Sequence, residues 1–138
     1  MSIYKVGLNE GKKLDVKYPI GVDITIMMDG KTGGTRYLTE NITRIKPGLT
    51  LRPAHSHKDI EEITYVIDGE GEVWIEGETS KIKKGDSILW PVNAKHTVRN
   101  TGKETLVLLC VFSTPYYRKE GAYIKHENED VIFEEDKG

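Results

Sequence analysis

Pro53-Ala54-His55-Ser56-His57-Lys58-Asp59-Ile60-Glu61-Glu62 decides the reading of this chain, and Pro91-Val92-Asn93-Ala94-Lys95-His96 answers it, its histidine 34 residues after Glu62. In an extended strand, side chains at i and i+2 point to one face, so His55 and His57 offer their imidazoles side by side. Glu62 sits five residues beyond His57, with room for a short bend between. His96 follows a Pro-Val-Asn-Ala turn signal, where a new strand is expected to start. Three neutral imidazoles and one carboxylate form a donor set that suits divalent iron, manganese, nickel, cobalt or zinc. The expected metal ligands are therefore His55, His57, Glu62 and His96, holding one divalent transition ion per chain. A lone histidine is most often a surface or core residue. Here three of the four histidines fall inside two Gly- and Pro-punctuated segments, and the fourth, His126, lies in a charged tail where solvation is expected.

Outward from these segments the chain reads as nearly all β. Residues 21–28 (GVDITIMM) are rich in β-branched and apolar side chains and end at the turn dipeptide Asp29-Gly30. Strands are expected over 36–46, 60–67, 72–76, 80–83, 87–90, 96–99 and 104–112, with Gly-containing turns between most of them. Turn signals every eight to twelve residues between short strands argue for a sandwich or barrel. No stretch before residue 115 shows sustained helical periodicity.

Composition narrows the functional classes. A chain of 138 residues is expected to be one domain with a real core. A net charge of −2 offers no basic surface for nucleic acid and none for an anionic membrane. Cys110 is the single cysteine, so no internal disulfide forms, and its setting in an apolar run reads as a buried small hydrophobe. With no N-terminal apolar region and no long apolar span, a cytoplasmic protein is the expectation.

The two segments resemble the paired motifs of the cupin superfamily. The first runs Gly48, six residues, His55-Ser56-His57, four residues, Glu62, six residues, Gly69; the second runs Gly85, five residues, Pro91-Val92-Asn93, two residues, His96, three residues, Asn100. Fifteen residues separate Gly69 from Gly85, as in small microbial cupins. One residue more than the family pattern precedes His55, which predicts a bulge or shifted turn there. Asn93 stands where glycine is usual, a mild departure because asparagine tolerates a left-handed backbone. The resemblance covers roughly residues 48–100. It implies a double-stranded β-helix, the cupin jelly-roll barrel, over about 21–113 of a single domain, with extensions at 1–20 and 114–138. It also implies a homodimer, and a family of dioxygenases, decarboxylases, isomerases, lyases and non-enzymatic binding proteins.

Adjacent Glu61 and Glu62 are separated by alternation, which puts Glu62, Thr64 and Val66 on one face and Ile63, Tyr65 and Ile67 on the other. The six-residue gap to Gly69 matches the family pattern for Glu62, and Glu61 is expected in solvent. Val98 and Asn100 share a face with His96 in a regular strand. Trp90 is read as core or as an apolar wall. Arg44 and Arg52 are candidates to clamp a substrate carboxylate, and Tyr37, Tyr65, Tyr116 and Tyr117 are candidate donors that the spacing does not distinguish. Tyr4-Lys5-Val6 could add a strand. Residues 116–121 are amphipathic and could fold back over a barrel end. Residues 126–138, with six acidic residues against one lysine, read as a solvated tail, with a lid or partner strand around Val131-Ile132-Phe133 as the alternative.

Structural zinc sites fill four positions and favour thiolates, whereas three histidines and one glutamate leave positions open to a ligand. The expected function is a metal-binding cupin, a metalloenzyme acting on a small oxygenated organic molecule as a dioxygenase, decarboxylase, lyase or isomerase. The alternatives are a binding module without turnover and a barrel that the metal merely staples.

Overall fold

The computed structural model describes residues 3–14, 20–51 and 53–137. Its strands are β1 (Lys12–Lys13), β2 (Val22–Met28), β3 (Thr39–Ile45), β4 (Ala54–His57), β5 (Glu62–Asp68), β6 (Glu70–Ile75), β7 (Glu78–Lys83), β8 (Ser87–Trp90), β9 (His96–Asn100), β10 (Leu106–Phe112) and β11 (Tyr123–His126). A single 3-10 turn, Glu134–Lys137, is the helical element among the described residues. The strands form two antiparallel sheets, ordered β1-β2-β3-β10-β5-β8 and β11-β4-β9-β6-β7. This is an all-β jelly roll, with every strand expected between residues 21 and 112 present and ends shifted by up to three residues.

Period-two alternation builds the barrel wall. In β5, Glu62, Thr64 and Val66 are buried while Ile63 and Tyr65 are exposed, as the sequence pattern requires. Between the sheets, Val22, Ile45, Val66, Leu106, Leu108 and Phe112 pack into one core. At Gly69 the chain passes from β5 to β6 with φ of 89°, and a Cβ there would lie 2.8 Å from the Thr105 carbonyl oxygen. Only glycine meets both demands.

The irregularity expected before His55 is present. Thr50 bridges Arg99 and His55 pairs with His96, so five steps along one strand oppose three along the other. Position 52 within this stretch lies outside the described residues.

Both termini depart from expectation. Tyr4-Lys5-Val6 forms no strand; Lys12–Lys13 pairs with β2 instead, and the Tyr4 hydroxyl donates to the Met27 carbonyl at 3.2 Å. The acidic tail is not solvated throughout. β11 adds to the outer edge of β4, and Phe133 is fully buried against Ala54 and Trp74. Arg99 explains the tail's charge: its guanidinium lies 4.3 Å from the centre of the Phe133 ring and pairs with Glu135 and Asp136 at 2.7 and 2.8 Å. Buried apolar area and these pairs hold the segment down, against a tally of acidic residues that pointed to water. His126, expected in solvent, is half-buried on β11, with Nε2 2.8 Å from the Ser56 hydroxyl.

Candidate metal centre

The candidate ligands come from both sheets. β4 and β9 are neighbours that pair at His55 and His96, and β4 turns His55 and His57 inward from alternate positions. β5, in the facing sheet, presents Glu62 at its first residue. The four side chains meet in the barrel interior, each between 4 and 6 % exposed.

The candidate ligand atoms of His55, His57 and His96 all lie within 4.8 Å of one another. Glu62 Oε1 is 3.7 Å from Nε2 of His57 and 3.7 Å from Nε2 of His96. Such separations are too long for hydrogen bonds. They suit donors around a common ion, whose bonds of about 2.0–2.2 Å place neighbouring donors about 3 Å apart and opposite ones about 4 Å apart.

Protonation agrees with this arrangement. Burial, reinforced by the other cationic side chains nearby, pushes His55, His57 and His96 from about 6.5 down to about 3, so all three are neutral imidazoles at pH 7. Nδ1 of His55 faces the Pro53 carbonyl at 3.2 Å and Nδ1 of His96 faces the Ala94 carbonyl at 2.9 Å. Each therefore carries its proton on Nδ1 and leaves the Nε2 lone pair free for a cation. His57 Nδ1 is buried with no hydrogen-bond partner among the described residues. Burial pushes the Glu62 carboxyl up to about 8. A divalent cation would reverse that penalty and hold the carboxylate ionised, so the residues present fit the ion that the donor set implies.

Behind Glu62 runs a directed chain of hydrogen bonds. Trp90 Nε1–H donates to the Thr64 hydroxyl at 2.7 Å, and that hydroxyl donates to Glu62 Oε2 at 3.0 Å. The chain fixes the carboxylate while Oε1 points at the histidines.

The four side chains open onto a cavity of about 40 Å³. Val98 lines it, as does Tyr117 alone of the four candidate tyrosines, and Trp90 is both core and wall. Asn100 does not: its Nδ2 donates to the Ile45 and Glu104 carbonyls, both at 2.8 Å, and it ties down the turn before β10. Arg44 is outside the barrel, bonded to Asn9 and lying 3.8 Å from Asp23, so it cannot clamp a ligand in the cavity. Arg52 lies outside the described residues. Tyr37, Tyr65 and Tyr116 are exposed, as is Glu61.

Asn41, Thr43, Tyr123 and Cys110 line the cavity without having been singled out as site residues. Polar residues at the inward positions of β3 were the available signal for Asn41 and Thr43. Tyr123 had none, because it reaches the cavity only through the pairing of β11 with β4. Burial and the nearby Glu62 push the Cys110 thiol well up, so at neutral pH it is protonated and a poor metal ligand.

Comparison with known proteins bears on this geometry. The family model described as "Cupin domain" matches residues 41–112. An uncharacterized protein of Methanocaldococcus jannaschii is 35% identical over 78 residues, 56% of this chain and 56% of its own length. An uncharacterized protein of Aquifex aeolicus is 38% identical over 76 residues, 55% of this chain and 62% of its own. The matched part of this chain thus spans less than two thirds of each relative. Among solved structures, the formate complex of Lactobacillus farciminis oxalate decarboxylase superposes with a TM-score of 0.70 and 26% identity, covering 83% of this chain and 33% of that one. A predicted oxalate decarboxylase of Thermotoga maritima superposes with a TM-score of 0.69 and 23% identity, covering 80% and 99%, and shows the shared fold.

Proposed function

The chain belongs to the cupin superfamily, and on that footing we propose that His55, His57, Glu62 and His96 hold one divalent first-row transition ion with which the protein transforms a small oxygenated organic acid. The observation that carries this reading is the cluster of three neutral imidazoles on one small cavity, with the buried Glu62 carboxyl 3.7 Å from two of them. When bound, such an ion polarises ligand oxygens and supports oxidation by dioxygen, decarboxylation or isomerisation through an enolate-like state.

The chain's own residues supply the rest. Ile24, Leu108 and Phe112 keep one side of the cavity apolar, which strengthens every charge interaction inside. Asn41 Nδ2 donates to the Tyr117 hydroxyl at 3.3 Å and the Thr43 hydroxyl donates to Asn41 Oδ1 at 3.0 Å, a polar pair of walls able to hold a ligand oxygen. A volume of about 40 Å³ holds about three water molecules, a space that suits a carboxylate or keto-acid fragment. Similarity to an oxalate decarboxylase solved with formate supports the same substrate class.

The test is elemental analysis of the native protein beside the triple variant His55→Ala, His57→Ala, His96→Ala, followed by assays of small carboxylic and keto acids for oxygen uptake, released carbon dioxide or product. Near-stoichiometric iron, manganese, nickel, cobalt or zinc, lost in the variant, together with turnover of one acid, is the expected result. A native protein without metal refutes the reading. Metal without turnover of any member leaves a binding module and refutes the enzyme.

A further inference from the structure

A second chamber adjoins the metal cavity. It is a groove of about 370 Å³ whose described floor includes Leu14 and Ile26. Ile24 and Ile26 are successive inward positions on β2, and Ile24 lines the cavity while Ile26 lines the groove. The groove therefore lies beside the cavity, about 7 Å further along the same strand. Tyr117 lines both chambers and forms the partition between them. Its ring stacks on Phe112 with centroids 4.1 Å apart, and its hydroxyl accepts from Asn41 inside the cavity.

The groove is cationic as well as apolar. Lys31, Arg118 and Lys119 are exposed on its rim. Asp29 is the one acid among its described lining residues, and its Oδ1 accepts the backbone N–H groups of Lys31 and Thr32 at 2.9 and 2.6 Å. Arg118 lies close to the cavity walls, its guanidinium carbon 6.0 Å from the Tyr117 ring centre and 5.5 Å from that of Tyr123.

We propose that this groove is the entrance and recognition site for the ligand of the metal cavity, and that it selects organic anions carrying an apolar or aromatic body. Leu14, Ile26 and the tyrosine rings receive the body, Arg118 and Lys119 attract the anionic group, and Tyr117 stands between the body and the reacting end. The inference rests on the metal-dependent reading above, and it sets the substrate class: the small cavity takes the oxygenated end, and the larger groove takes what that end is attached to.

The test is calorimetric titration of the native protein and of the double variant Arg118→Gln, Lys119→Gln with phenylpyruvate and with its neutral methyl ester. Native protein should bind the acid at least about tenfold more tightly than the ester, the worth of one charge-assisted contact. The double variant should lose about tenfold for the acid and nothing for the ester, with melting temperature and metal content unchanged. Nuclear Overhauser contacts from the phenyl ring should fall on Leu14 and Ile26. Equal binding of acid and ester, no loss in the variant, contacts elsewhere, or no binding of the acid at millimolar concentration overturns the proposal. The same titrations on protein stripped of metal by a chelator should keep the tenfold loss in the double variant, whereas the metal reading fails on elemental analysis, so the two can be told apart.

Discussion

Asn93 Oδ1 accepts the backbone N–H of Asp59 at 2.7 Å, and Asn93 Nδ2 donates back to Asp59 Oδ1 at 3.3 Å. Both residues have left-handed backbones, with φ of 58° at Asp59 and 63° at Asn93. One lies just after His57 and the other just before His96, so this pair clasps the two loops that aim the histidines. Asn93→Gly keeps the backbone conformation and loses the clasp; Asn93→Ala loses the clasp and strains the backbone. Alanine should therefore destabilise the fold by about 1 kcal/mol more than glycine, read from denaturant midpoints. Equal effects would mean that φ at Asn93 relaxes freely.

The hydrogen-bonded chain from Trp90 through Thr64 to Glu62 makes a separate prediction. Thr64→Val leaves the carboxylate without its donor and Trp90 Nε1 without an acceptor. Metal affinity should fall by about 10–100-fold, the usual effect of removing a partner behind a metal ligand. Competition with a chromogenic chelator measures this, and an unchanged affinity would show that the chain does not position Glu62.

Removal of the ion should expose a distinctive pH profile. Between about pH 4.5 and 6.5 the unfolded chain has its three site histidines charged and Glu62 ionised, while the folded chain keeps all four neutral. The unfolded state then binds two protons more, so stability rises with pH by roughly 2.7 kcal/mol per unit. From about 6.5 to 8 the sign reverses, because only Glu62 still differs and the unfolded chain is now the less protonated. The metal-free protein should be most stable near pH 6.5, with a steep acid limb and a shallow alkaline one. Urea unfolding across pH would show it, and Glu62→Gln should remove the alkaline limb.

Phe133 anchors the C-terminal segment against Ala54 on the histidine-bearing strand β4. Phe133→Ala should cost about 3 kcal/mol as a large-to-small change at a fully buried site. It should also raise amide exchange in β11, measured by hydrogen–deuterium exchange. Exchange confined to the 3-10 turn would show that β11 is held without Phe133.

The barrel and its donors were legible in the sequence because both depend on local rules. His-x-His in an extended segment, alternation through Glu62, Thr64 and Val66, and glycine at left-handed turns each follow from a few neighbouring residues. What was not legible depends on contacts distant in sequence. Nothing around residue 123 announces that Tyr123 will stack 5.1 Å from His55, since that contact is set by pairing with β4 across 66 residues. Arg44 and Asn100 are polar residues at plausible positions, and only the finished fold shows one facing outward and the other spent on a turn.

The burial of β4 on both sides has a consequence for how the protein matures. Its inner face carries two of the donors, all four of which lie between residues 55 and 96, while Tyr117, Tyr123 and Phe133, which cover the site and the back of that strand, come later in the chain. During synthesis the ligands thus leave the ribosome before their lid. An ion held by those residues would be enclosed only once the last residues to emerge have packed over it.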